Sequence, residues 1–245
     1  MSIDNPLFER SHILIGDEGI ARLQSSHVLI AGIGGVGSFA AEALARLGVG
    51  QLTLIDHDVV SPSNINRQLI ALNSTVDRLK TSVMAERISD INPQCHVTVL
   101  NEFLSPDSIP KLLEKPLDVV VDAIDSMSSK AALIETAWRQ DIALFSSMGA
   151  GGKLDPTRIR TGDLMDTTIC RLAKQLRGHL RKRGVGHGIQ AVYSTEPSIA
   201  PLPPEAVERG RPRAVNGTVS YMPSLFGLTL AGLAANKIIG DARRG

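Results

Sequence analysis

The stretch HVLIAGIGGVGSFAAEALARLG, residues 27–48, decides the fold. It opens with HVLIA, a short apolar run suited to a buried strand. Gly32, Gly34 and Gly37 then make G-x-G-x-x-G, and SFAAEALARL follows with Phe39, Ala43, Leu44 and Leu47 at helical spacing before Gly48 closes it. Strand, glycine turn and helix in that order aim backbone N–H groups and a helix N-terminus at one point, which suits phosphate oxygens. The next apolar run, QLTLID at 51–56, completes two parallel strands joined by a crossover helix.

Working outward, HVTVL (96–100), LDVVVDAID (117–125) and IALFSSMG (142–149) read as further strands, with helical patterns near 78–90 and 128–141 between them. Such alternation predicts an α/β fold, a doubly wound and mostly parallel sheet of Rossmann type. After Gly149 the pattern changes to a glycine-rich link, GAGGKLDP, a short run TRIRTGDL, a basic helix at 171–183 and then GIQAVYSTEPSIAPLPPE. The tract from Pro197 to Pro212 suits neither helix nor inner strand and predicts a surface loop. One domain is expected over 1–245, its nucleotide-binding core at about 8–149 and a C-terminal extension, about 150–245, carrying the basic helix to the substrate.

The chain has 245 residues, 43 % of them hydrophobic, enough to fill a core. Its 26 Lys and Arg against 25 Asp and Glu leave a net charge of +1, so any attraction for nucleic acid must come from a local patch. Cys95 and Cys170 are the only cysteines and form no CxxC pair, which excludes a disulfide scaffold or four-cysteine zinc site and fits a reducing cytoplasm. MSIDNPLFER carries acids where a secretory signal needs a basic run. SLFGLTLAGLAANKIIG, interrupted by Asn236 and Lys237, reads as a docked helix, with peripheral membrane contact as the minor alternative.

Asp56 ends the second strand, where a carboxylate holds ribose hydroxyls. Immediately after it, DHDVVSPSNINRQLI supplies Asn64, Arg67 and Gln68, for which a dinucleotide site has no evident need, whereas a guanidinium forks well onto polyphosphate. Lys80 by itself reads as an exposed helix residue. Asp122 and Asp125 close the strand DVVVDAID, at the edge where open α/β sheets bind ligands; one can hold Mg²⁺ and one can cap the following helix.

Taken together, GIGGVG, DHDVV, NINRQ, Lys80 and DAID resemble, in order and over residues 8–149, the adenylating domain of the ubiquitin-activating enzyme superfamily, which includes the sulfur-carrier activators of the ThiF and MoeB type. The resemblance implies MgATP and attack of a substrate carboxylate on the α-phosphate. It implies a nucleotide set of Gly32, Gly34, Gly35, Gly37, Asp56, Asp58, Asn64, Arg67, Gln68 and Lys80, with Arg67 and Lys80 on the phosphates and Asp125 on the metal. The asparagine that follows this aspartate in the superfamily is Ser126 here. Arg10, in FER at 8–10, stands where the superfamily carries an arginine that crosses a dimer interface, so a homodimer with Arg10 acting in trans is implied.

Neither cysteine has a motif that activates a nucleophilic thiol, which argues against thiol transfer. In RLAKQLRGHLRKRG, Leu172, Leu176 and Leu180 recur at four-residue spacing, while Arg171, Lys174, Arg177, Arg181, Lys182 and Arg183 form a cluster uninterrupted by acid. A solvated helix face explains such a cluster, and so does an RNA-phosphate patch. Aromatics are 3 % of residues, too few for a stacking platform, so RNA contact would lean on phosphates and shape.

FERSHILIGDEGIARL, MGAGGKLDP, the basic helix, VYSTEP and the FG of the C-terminal helix are similar to the bacterial tRNA threonylcarbamoyladenosine dehydratases over nearly the whole chain. That likeness implies ATP-dependent cyclisation of a tRNA side chain with loss of water, tRNA as partner, a cytoplasmic place, sulfur-transfer proteins such as a cysteine desulfurase as further partners, and a monovalent cation, Na⁺ or K⁺, as an addition to MgATP. The competing readings are an adenylating activator of a sulfur-carrier or ubiquitin-like protein C-terminus, a nicotinamide-dependent oxidoreductase, and a non-catalytic RNA-binding partner.

Overall fold

The structure is a computed structural model and describes residues 5–202 and 216–242. In chain order its elements are α1 (Glu9–Ser25), β1 (His27–Ala31), α2 (Gly37–Leu47), β2 (Gln51–Ile55), α3 (Lys80–Ile91), β3 (His96–Leu100), α4 (Ile109–Leu112), β4 (Val119–Asp122), α5 (Met127–Arg139), β5 (Ala143–Ser147), β6 (Ile159–Asp163), α6 (Arg171–Lys182), β7 (Gln190–Ser194) and α7 (Tyr221–Ile239). The strands form one sheet in the order β3-β2-β1-β4-β5-β7-β6. Every pairing is parallel except β6 with β7.

Strand alternation divides the core. Val28, Ile30, Leu52, Leu54, Val119 and Val121 face α2, α3 and α7 on one side, whereas Leu29, Ala31, Val120 and Leu144 face α4, α5 and α6 on the other. Covering both faces is what a parallel sheet requires. The residues after Gly149 are part of this body, since β6 and β7 extend the sheet and α7 packs on α2, β4 and β5. α7 is docked through Met222, Phe226, Leu230, Ala234 and Ile239, all buried, although its length and composition would also suit a bilayer. Gly227 permits that docking, because a Cβ there would overlap the Val36 carbonyl oxygen.

Helix phases differ from the sequence reading in two places. In α2 the buried side chains are Ala40, Ala41, Leu44 and Ala45, with Phe39, Ala43 and Leu47 only half-buried, because alanines fill the narrow space against the sheet. In α6 they are Ala173, Leu176 and Leu180, and Leu172 is only half-buried. The sequence reading also contains no helix at α1, which bends at Gly16, where φ is +64°, and carries exposed Ile13 and Leu14 before the bend. The proline-rich tract is irregular chain as far as Leu202; residues 203–215 lie outside the described residues.

Candidate active site

The sheet order reverses between β1 and β4, and a cavity of about 610 Å³ opens at the carboxyl ends of the strands there. The glycines of the turn that follows β1 serve different needs. Gly32 has φ +89°, and a Cβ on it would lie 2.7 Å from the Ala123 carbonyl oxygen; a Cβ on Gly37 would overlap the Gly32 carbonyl. These two let the turn and α2 close onto the sheet. Gly34 is different, because a Cβ there would meet nothing nearer than Gln68 Nε2 at 3.7 Å. It lines the cavity and leaves the backbone open to a ligand; Gly35 also lines the cavity, but a Cβ there would press on the Arg67 carbonyl oxygen and on Pro223, each at 3.2 Å, and Gly37 lies behind the wall.

Asp56, at the end of β2, accepts from the Ile33 amide through Oδ2 at 2.7 Å and from the Asp58 amide through Oδ1 at 2.9 Å. It therefore braces the glycine turn while lining the cavity. Lys80 opens α3 and lines the same space, but it is buried, and its Nζ donates to Asp58 Oδ2 at 2.7 Å. The exposed-helix reading of this lysine is corrected by that burial, since the ammonium is drawn inward to a carboxylate. Asn64 and Arg67 are prepared in the same way: Asn64 Oδ1 accepts from the Ser61 amide, and Arg67 Nη1 donates to the Ser63 carbonyl at 2.8 Å and to Asn66 Oδ1 at 3.0 Å. Gln68 Oε1 is the one buried side-chain polar atom without a hydrogen-bond partner among the described residues, and Gln68 lines the cavity. A buried orphan acceptor is costly unless a ligand or water completes it.

The two carboxylates after β4 separate clearly. Asp122 is fully buried and engaged: Oδ2 accepts from Lys130 Nζ and Ser146 Oγ, each at 2.6 Å, while Oδ1 accepts from the Ile124 amide. Lys130 also donates to the Ser147 carbonyl, so this pair fastens the ends of β4 and β5 together. Asp125 is exposed in the cavity wall and makes no hydrogen bond or ion pair among the described residues, which leaves its oxygens available for a cation. Asp56, His57 and Asp58 also bring three ligand atoms close together, but Asp56 and Asp58 are already committed to amides and to Lys80.

Sequence reasoning missed Glu102, Phe103 and Leu104, which line the cavity just beyond β3. Phe103 stands edge-on to His57, with ring centroids 5.1 Å apart. Their signal was available, because the residue after each parallel strand lies at the ligand-binding edge. The opposite wall comes from Ser147–Gly151, Cys170–Leu172, Ser198, Ile199, Asn216 and Thr218. The Gly152 amide donates to the Gly217 carbonyl, and its own carbonyl accepts from the Ile199 amide, so the glycine link is sewn to both flanking segments. Burial pushes the Lys153 ammonium below its usual range, and that lysine donates to the Glu196 carbonyl.

The basic helix does not present one uniform patch. Arg171 lines the cavity; Arg177 is tied to Thr167 and Arg183 to Glu135; Lys174, Arg181 and Lys182 are exposed. Arg10 is exposed on α1 and is not part of the cavity wall. Cys170 is buried in the wall, and burial pushes the Cys95 thiol up to about 11, which keeps it protonated and unreactive at neutral pH.

With this geometry in place, the comparisons are specific. The ThiF family model matches residues 8–244. The chain is 40 % identical to the tRNA threonylcarbamoyladenosine dehydratase of Bacillus subtilis, covering 96 % of this chain and 95 % of that protein. It is 39 % identical to the Escherichia coli dehydratase, covering 94 % and 92 %. The crystal structure of the E. coli tRNA N6-threonylcarbamoyladenosine dehydratase TcdA in complex with ATP superposes with a TM-score of 0.87 at 40 % identity, covering 96 % of this chain and 94 % of that one.

Proposed function

The chain belongs to the ThiF family, and from that premise we propose that it is an ATP-dependent tRNA threonylcarbamoyladenosine dehydratase. The observation that carries this reading is the continuity of the likeness through the residues after Gly149, which include the acceptor wall of the cavity. A likeness confined to the glycine turn would leave the substrate open.

The threonine carboxylate of the modified adenosine attacks the α-phosphorus of ATP, and pyrophosphate leaves. An atom of the same side chain then attacks the activated carbonyl, closes a ring and releases AMP, so water is lost overall without an enzyme nucleophile. Gly34 admits the phosphates to the turn, Gly35 lets the turn close onto Arg67 and Pro223, and the free acceptor of Gln68 is completed by the nucleotide. Arg67 and Lys80, held in advance by Ser63, Asn66 and Asp58, stabilise charge that grows on the α-phosphate. Asp56 holds the ribose, and the Phe103 and His57 rings border the base. Asp125 would hold Mg²⁺, which when bound neutralises the polyphosphate. Lys174, Arg181 and Lys182 meet the tRNA backbone, and Arg10 reaches a second copy in a homodimer. The enzyme works where tRNA is, in the cytoplasm.

Tests begin with nucleosides from tRNA bearing threonylcarbamoyladenosine, incubated with the protein and MgATP under conditions that spare a labile ring. Mass spectrometry should find the nucleoside lighter by one water, with AMP formed. An unchanged nucleoside would sink this reading and direct attention to a protein carboxylate.

A further inference from the structure

The cavity has a cation on the side away from the polyphosphate site. Arg67 and Lys80 belong to the wall built by the glycine turn and the chain after β2, whereas Arg171 enters from the first turn of α6. Among the described residues it is the one cation on the acceptor wall, and it makes no hydrogen bond or ion pair. The rest of that wall is apolar or neutral, including Leu172, Ile199, Ser198 and Gly149–Gly151. Ile199 is 59 % exposed, an apolar surface left uncovered in the wall. The outer basic residues of α6 point elsewhere or are tied down, so Arg171 stands apart from the helix's general basic character.

We propose that this wall is the subsite for the ureido-acid side chain of the modified adenosine, with Arg171 gripping its carboxylate through a forked pair of hydrogen bonds. The inference rests on the dehydratase reading. A carboxylate brought to a triphosphate meets like charge, and Arg171 supplies compensation from the side on which the nucleophile arrives. A guanidinium can do this bidentately and so fix which oxygen faces the phosphorus. Leu172 and Ile199 provide the apolar contact for the threonine methyl. The same oxyanion chemistry is offered by an RNA phosphate, and the two sources are separable.

The experiment compares wild type, Arg171→Ala and Arg171→Lys on tRNA carrying threonylcarbamoyladenosine and on the same tRNA lacking it, with thermal midpoints recorded with and without MgATP. Arg171 is exposed, so both variants should fold. The expected result is a roughly 10²-fold loss of kcat in Arg171→Ala at saturating modified tRNA, partial recovery in Arg171→Lys, and unchanged affinity for unmodified tRNA. Stabilisation by MgATP should also be unchanged. Equal weakening on both tRNAs would assign Arg171 to an RNA phosphate and overturn the proposal, as would lost MgATP stabilisation or undiminished turnover. Wild type that is stabilised by MgATP but leaves modified tRNA unchanged would instead overturn the dehydratase reading, and this subsite with it.

Discussion

The two walls of the cavity are made by opposite means. On the glycine-turn side Asp56, Lys80 and Arg67 are held by neighbours before any ligand arrives: Asp56 by two amides, Lys80 by Asp58, and Arg67 by Ser63 and Asn66. On the acceptor side the backbone is tied through Gly152 to residues 199 and 217, but Arg171 has no partner among the described residues. One wall holds Asp56, Lys80 and Arg67 in place beforehand, and the other leaves its cation free. Preorganised electrostatics favour turnover, while a free, forked donor favours discrimination.

Breaking the foundation beneath both walls should have the largest effect. Lys130→Met would leave Asp122 charged and buried beside Ser146, with an expected loss of about 3–5 kcal/mol in chemical unfolding. A cost below about 1 kcal/mol would mean that the pair does not anchor β4 and β5. On the polyphosphate wall, Arg67→Ala should lower turnover roughly 10²–10³-fold while leaving tRNA affinity intact; an active variant would remove Arg67 from the chemistry. The glycines sharpen the contrast further. Gly34→Ala should fold as well as wild type but lose about tenfold in ATP affinity by calorimetry, because its Cβ enters ligand space, whereas Gly37→Ala should fail to fold because its Cβ has no room. Equal behaviour of the two would contradict their separate roles.

The smallest effect concerns Cys95, remote from both walls. Its folded pKa is raised by burial from 9.0 to about 11, so the thiol contributes stability below pH 9 that is lost as pH rises through the interval to 11, where only the unfolded chain ionises. Wild type should therefore lose more stability than Cys95→Ala over that window. Parallel curves would show that the site is wetter than its surroundings suggest.

The central strands were legible because parallel strands buried on both faces read as apolar runs, as HVLIA does in β1, whereas HVTVL coincides with the edge strand β3, which is only half-buried and whose signal is its β-branched residues. The turn was legible because Gly32 and Gly37 occupy positions where no other side chain fits. What escaped depends on distant packing. Lys80 is buried through a carboxylate 22 residues earlier, and Asp122 is distinguished from Asp125 by Lys130 and Ser146, none of which periodicity can pair. In α6 the charge pattern was plain, but periodicity did not show that its first arginine faces inward and that Arg177 and Arg183 hold the protein's own groups. Glu102 and Phe103 follow β3 without any motif, so only sheet position would have singled them out.

The last helix has a consequence for synthesis. α7 covers the face of the sheet to which α2 also belongs, and Arg22 of the first helix donates to the Ile239 carbonyl at 2.6 Å and bonds Asp241. A nascent chain cut off at residue 149 already has its glycine turn and the Asp56 brace, but the apolar side of α2 and the residues facing Phe226 and Leu230 are still open to solvent. The nucleotide-binding half is therefore the first to leave the ribosome and among the last to be finished, and an arrested chain of that length is one that chaperones should hold.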